Sequence, residues 1–166
     1  TQTRNGAAGG RGDGIVIKPY AVLDPHQLDA MLHAAEGLGD PANGIIADVV
    51  GTPYDFTDFH VIGERIHDDE AGLNSAGGYD HNWCLNNKGK FAKVIEMSAK
   101  ESGITMEVYT DLPGVQIYSG NFLVEELGKD GIVYKHRQAI CFETQGYPDA
   151  INHENFPSVV CKAGEV

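Results

Sequence analysis

Positive charge is scarce in this chain. Twelve Lys and Arg stand against 24 Asp and Glu in 166 residues, a net charge of −12. That balance argues against nucleic acid or an anionic membrane as partner, because both demand a positive field. Cysteine is scarcer still: Cys84, Cys141 and Cys161 form an odd set with no Cys-x-x-Cys pair. They read as reduced, buried thiols of a cytoplasmic protein rather than as a disulfide framework. No Asn-x-Ser/Thr acceptor occurs, in keeping with that address. No apolar run approaches the roughly 20 residues of a membrane span. Thr1 to Gly14 is polar and glycine-rich, without the apolar core of a signal peptide. The histidines and cysteines lack metal-ligand spacing, so no metal is expected. A Gly-x-Ser-x-Gly elbow, a phosphate-binding Gly-Lys-Ser/Thr, internal repeats and low-complexity tracts are all missing. Arg11-Gly12-Asp13 spells an adhesion tripeptide and reads as chance in so cysteine-poor a chain.

What is present is globular. The hydrophobic share is 42% and the charged share 22%, and a domain of this length buries roughly 70% of the surface its unfolded chain exposes. Gly is abundant, 21 of 166 residues, with clusters at 6–14 and at Gly77-Gly78, the punctuation of a chain with many turns. Thr1 to Gly14 reads as a loop, and Ile15 to Leu23 as a strand. Asp24 in N-cap position, Pro25 at the first helical position and Gly37 beyond the end predict a short helix over Pro25 to Glu36. Leu28, Met31, Leu32 and Ala35 lie on one face of it. Gly37 to Gly44 then reads as a loop.

From Ile45 onward the signals are β. Ile45 to Val50 is a short apolar run. Phe91 to Ala99 and Ile104 to Thr110 flank Lys100-Glu101-Ser102-Gly103, a hairpin with a Ser-Gly turn. Val115 to Tyr118, Ala139 to Thr144 and Ser158 to Lys162 complete the strands. The expected fold is mostly β, an antiparallel β-sandwich.

Strand parity singles out polar residues. Ile140 and Phe142 point one way, and Glu143 shares the other face with Ala139 and Cys141. That face is either a pocket, where burial would make Glu143 a better base, or simply solvated. Gln116 faces away from Val115 and Ile117, as a hydroxyl-binding group or a surface residue. Asp80-His81-Asn82-Trp83 gathers side chains suited to hydroxyls and to stacking on a sugar ring. His26 and His33 fall on similar faces of the expected helix, where a solvated role is the simpler one.

Gly78-Tyr79-Asp80-His81-Asn82-Trp83, then Asp111 to Asn121 with Pro113-Gly114-Val115-Gln116, then Cys141-Phe142-Glu143-Thr144-Gln145-Gly146-Tyr147 through His153 resemble the aldose 1-epimerase (galactose mutarotase) family. Gly51-Thr52-Pro53-Tyr54-Asp55-Phe56 with Ile62-Gly63, and Phe156-Pro157-Ser158 with Lys162-Ala163-Gly164-Glu165, fit in the same order. The resemblance covers Ile45 to Val166. It implies a large antiparallel sandwich that binds a free aldose, such as galactose or glucose. It also implies that α and β anomers interconvert by acid/base ring opening, with no cofactor and no metal. The family's base falls on Glu143, and its sugar-holding residues on Asp80 and Gln116.

Some positions depart from the pattern. The family's general acid is the histidine of a Thr-Asn-His motif, and the comparable place here is Thr3, which gives no proton near neutral pH. Another histidine and an arginine of the family site lie in a half of the protein not represented here. His81 belongs to the motif as a structural residue, and His153 is expected in a loop near the pocket. The 166 residues therefore read as one partial domain, the C-terminal half of such a sandwich. Exposed sheet edges would favour self-association. A sugar-binding relative without the acid, or an inactive fragment, is the alternative to an active epimerase.

Overall fold

The computed structural model describes residues 15–16, 30–33, 37–40, 44–100 and 102–164. In chain order the elements are β1 (Ile15–Val16), β2 (Ala30–His33), β3 (Gly37–Asp40), β4 (Ile45–Asp48), β5 (His60–Val61), α1 (Ile62–Arg65), α2 (Ala71–Ala76), β6 (Asp80–Cys84), β7 (Ala92–Ala99), β8 (Ile104–Thr110), β9 (Gly114–Tyr118), β10 (Glu126–Leu127), β11 (Val133–Tyr134) and β12 (Cys141–Gln145). Six strands form one sheet in the order β1-β12-β9-β6-β3-β4, four form a second in the order β5-β2-β7-β8, and β10-β11 is a small hairpin. Every pairing is antiparallel.

The alternating pattern of the sequence explains how these sheets meet. Ile95, Met97 and Val108 from the second sheet share one buried core with Trp83, Val115, Ile117 and Phe142 from the first. Two sheets whose inner faces close on a common apolar layer make a β-sandwich. An aromatic group occupies one end of it. Tyr79 lies 5.4 Å from Phe56 and 6.0 Å from Trp83 between ring centroids, at edge-on angles that suit their quadrupoles. Trp83 is fully buried and its Nε1–H donates to the Tyr54 carbonyl at 3.0 Å. The Tyr79 hydroxyl donates to the Pro53 carbonyl at 2.8 Å.

The hairpin expected at 91–110 is present as β7 and β8, with a register shift between Lys93 and Ile95. Three expectations need correction. The segment read as a helix over 25–36 contains β2, which pairs with β5 on one side (Met31↔Val61) and with β7 on the other (Met31↔Ser98). Cap preferences contribute about 1 kcal/mol each, less than two ladders of hydrogen bonds, so tertiary pairing overrides them. The rest of that segment lies outside the described residues. The loop read from Gly37 contains β3, which pairs with β4 and β6. Ser158 to Lys162 is irregular rather than a strand, and Val159 and Val160 are exposed. Of the strand expected over 15–23, Ile15–Val16 pairs with β12. Residues 17–23 and the loop expected over 1–14, including Thr3, lie outside the described residues.

Phe142, at 1% exposure, closes the core beneath β12, whereas Ile151 is 75% exposed. Phe142→Ala should lower unfolding free energy by about 3–5 kcal/mol, through lost burial and a residual cavity. Ile151→Ala should stay within about 0.5 kcal/mol of the parent. Urea denaturation of the two variants checks both values.

Candidate functional site

The register of β6, β9 and β12 determines which side chains share a surface. Cys141, Tyr118 and Asp80 lie across from one another, then Glu143, Gln116 and Asn82, then Gln145, Gly114 and Cys84. Because side chains alternate along a strand, these nine positions form a three-by-three grid on one face. Phe142, Ile117, Val115 and Trp83 fill the core from the other face. Over the grid lies an open concavity of about 460 Å³, lined by Asp80, Gln116, Tyr118, Phe122, Glu143, Gln145 and Pro148. The structure thus brings Asp80, Gln116 and Glu143 into one place.

Hydrogen bonds set their directions. Gln116 Nε2 donates to Asp80 Oδ1 at 2.8 Å, and Gln145 Nε2 donates to Asn82 Oδ1 at 3.1 Å. Gly114 keeps the floor low: a Cβ there would stand 2.8 Å from Asn82 Oδ1 and 3.0 Å from the Tyr147 ring. The face forms an open hollow, and within it Glu143 itself is exposed rather than buried. Tyr118 and Phe122 stack at one side, with centroids 6.2 Å apart and planes 20° apart. The Phe122 amide donates to the Tyr118 hydroxyl at 2.9 Å. The concavity therefore offers carboxylate and amide groups beside an apolar aromatic wall, the mixture that a ring with hydroxyl edges and apolar faces requires.

Cys141 borders Glu143 and Asp80. Burial first, and those two carboxylates next, push its thiol up, which makes it a poor nucleophile. Cys84 is buried, Cys141 half-buried and Cys161 exposed, contrary to the expectation that all three thiols are buried. Among the described residues no three His, Cys, Asp or Glu side chains gather as a metal site would need.

Parity also divides the Asp80-His81-Asn82-Trp83 cluster. Asp80 and Asn82 belong to the grid, whereas Trp83 lies on the opposite face, completely buried. It cannot stack on a ligand. His153 packs 5.0 Å from the Phe156 ring and pairs with Asp149 at 3.5 Å, and it does not line the concavity. His33 lies in β2, and His26 lies outside the described residues. Sequence reasoning passed over Tyr118 and Gln145, although each stands two positions beyond a chosen residue, Gln116 and Glu143. Phe122, from the turn after β9, carries no such signal.

Known proteins share this arrangement of strands. The Aldose 1-epimerase family matches residues 39–166. A galactose mutarotase from Homo sapiens is 41% identical over 123 residues, covering 74% of this chain and 34% of that protein. One from Bos taurus is 42% identical over 140 residues, covering 84% and 39%. An aldose 1-epimerase from Escherichia coli (strain K12) is 31% identical over 154 residues, covering 86% and 44%. Among solved structures, a GalM/aldose epimerase homologue from C. elegans has a TM-score of 0.66 at 25% identity, over 80% of this chain and 41% of that one. A galactose 1-epimerase from Lactobacillus acidophilus NCFM has a TM-score of 0.57 at 25% identity, over 72% and 36%. The chain spans less than half the length of each of these relatives. Since the match runs through β6, β9 and β12, the strands that carry the grid, the chain belongs to the aldose 1-epimerase family.

Proposed function

We propose that the concavity binds a free aldose such as galactose or glucose, and that the chain acts as an aldose 1-epimerase on its anomeric carbon. The supporting observation is the convergence of Glu143, Gln116 and Asp80 on one open hollow. In this reading Glu143 takes the proton of the C1 hydroxyl as general base. The ring oxygen gains a proton, the C1–O5 bond opens, and the free aldehyde rotates. Reclosure from either face gives the α or β anomer, and the proton returns. Asp80 and Gln116 hold sugar hydroxyls, with Asp80 accepting and Gln116 able to do both. No cofactor enters this chemistry.

One observation favours a second reading, a sugar-binding chain without turnover. Among the described residues, no histidine lines the concavity, so the acid that protonates the ring oxygen has no histidine in the lining to supply it. The net charge of −12 suits a neutral sugar and opposes nucleic acid. Among the described residues no helix is long and apolar enough to cross a membrane. We place the protein in the cytoplasm on its cysteine usage. Among the described strands β4 lies at a sheet edge and carries the exposed Ile46, which supports self-association through that edge.

Polarimetry on freshly dissolved α-galactose and α-glucose tests the enzyme reading. A rate above the uncatalysed one is expected, and Glu143→Gln should abolish it while leaving sugar affinity within about 3-fold, since only proton transfer is lost. Asp80→Ala should weaken binding about 10-fold, the worth of a hydrogen bond to a charged group. Binding without any rate selects the second reading, and no binding of either sugar sinks both. Light scattering should give a mass above the monomer; a clean monomer removes the edge-pairing proposal.

A further inference from the structure

Beneath the concavity, on the core side of β6, lies a row of polar side chains with no part in the chemistry above: His81, Tyr54 and Glu70. It begins at the Asp80 main chain. The Tyr79 carbonyl accepts from Ser119 N at 3.0 Å, so the odd residues of β6 face β9 and the Asp80 N–H points toward β3. The described β3–β6 register ends at Gly39↔Asn82. The Asp80 N–H instead donates to His81 Nδ1 at 3.0 Å.

Each proton in the row then follows from the one before. An accepting Nδ1 carries no hydrogen, so in the neutral ring the proton is on Nε2. Nε2 is 3.4 Å from Tyr54 Oη. Tyr54 Oη donates to Glu70 Oε2, which also accepts from Leu73 N at 3.0 Å. A hydroxyl committed to a carboxylate presents its lone pair to the imidazole N–H. The ring is wedged edge-on, 4.8 Å from the Tyr54 ring and 6.2 Å from the Trp83 ring. Gly72 leaves room for all three polar groups: a Cβ there would press on Tyr54 Oη and stand 2.9 Å from His81 Nε2. At its other end, Asp80 is held through Oδ1 by Gln116.

We propose that His81 is the positioning residue of the site: locked in its Nε2–H tautomer by Tyr54 and Glu70, it holds the Asp80 main chain so that the Asp80 carboxylate meets the sugar. The inference rests on the reading of Asp80 as a sugar ligand. It also predicts a dependence on pH. The ionisable groups facing the ring are Asp80 on its own strand, Glu70 at the N-cap of α2 and the Tyr54 phenol. Burial lowers the His81 pKa, outweighing the Asp80 and Glu70 charges that raise it. Burial acts to raise the Glu70 carboxyl, yet the bonds from Tyr54, Leu73 and Gly72 hold it below the usual range. A protonated His81 would aim a second N–H at the Asp80 amide. Its folded-state pKa lies below the unfolded value of about 6.5, so the stability it contributes is full above that pH and is lost as pH falls below it.

The test compares His81→Asn with His81→Gln in the full chain. The Asn carboxamide oxygen reaches the place of Nδ1, whereas the Gln head group reaches only that of Nε2. Titration with D-galactose and D-glucose should leave His81→Asn within about 3-fold of the parent and weaken His81→Gln about 10-fold, the scale of one such hydrogen bond. Between about pH 7.5 and about pH 5.5 the parent should lose denaturation midpoint, and His81→Asn should lose less. Long-range 1H–15N spectra should place the parent's ring proton on Nε2. Equal binding by the two variants, or a ring proton on Nδ1, overturns the proposal. If the parent binds neither sugar, the sugar reading fails and this role for Asp80 fails with it. The spectra then judge only the hydrogen-bond row.

Discussion

Side chains alternate across a strand with a period of two, and β6, β9 and β12 share one register, from Asp80↔Tyr118↔Cys141 to Cys84↔Gly114↔Gln145. A slip of one residue in any of them would turn its half of the pattern over. In β12 the slip would put Phe142 in water and Glu143 in the core; in β9 it would do the same to Ile117 and Gln116. Each large apolar side chain contributes about 1.5–3 kcal/mol by its burial. The register of the polar grid is therefore enforced from below, by residues that never meet a ligand. The core that stabilises the sheet thus also sets the register of the grid.

The aromatic end of the sandwich extends this coupling to a loop. Trp83 and Tyr79 fasten residues 53–54 by hydrogen bonds to main-chain carbonyls. Arg65 donates to the carbonyls of Thr52 and Asp55 and lies 5.3 Å over the Phe56 ring. Gly51 to Phe56, noticed in the sequence only as a motif, is thus a clamped turn that delivers the Tyr54 phenol to the underside of β6. A loop so held can orient a histidine, since four consecutive carbonyls, Thr52 to Asp55, each accept a side-chain hydrogen bond.

Much of this was readable from residue order, and the failures have physical causes. Alternation at 104–110 and at 139–144 marks strands because one face is wet and the other dry. The same rule separates Glu143 and Gln116 from Phe142 and Ile117. Carried two residues further, the rule reaches Gln145 and Tyr118, and carried along 80–83 it sends Trp83 into the core. The helix expected at 25–36 rested on cap residues, which report local preference, while β2 is held by partners 30 and 67 residues away in Val61 and Ser98. No local pattern records such partners. Val159 and Val160 looked like strand residues, but β propensity without a neighbouring edge leaves irregular chain. The Tyr54–Glu70–His81 row is legible only in three dimensions, since its members come from a loop, a helix cap and a strand.

The grid has a further property in the time domain. Asp80 and Gln116 are 36 residues apart, and Asn82 and Gln145 are 63 apart. Contacts of such long range form late, because a large loop must close before any of them is rewarded. No single hairpin contains the grid: β7 and β8 can zip together locally, but they contribute nothing to it. During synthesis, Asp80 and Gln116 emerge well before Glu143. Until β12 adds alongside β9, the growing chain holds Asp80 and Gln116 on the floor without Glu143 beside them. The complete grid then arises in one step, when β12 docks between β1 and β9, rather than growing by degrees as the chain lengthens.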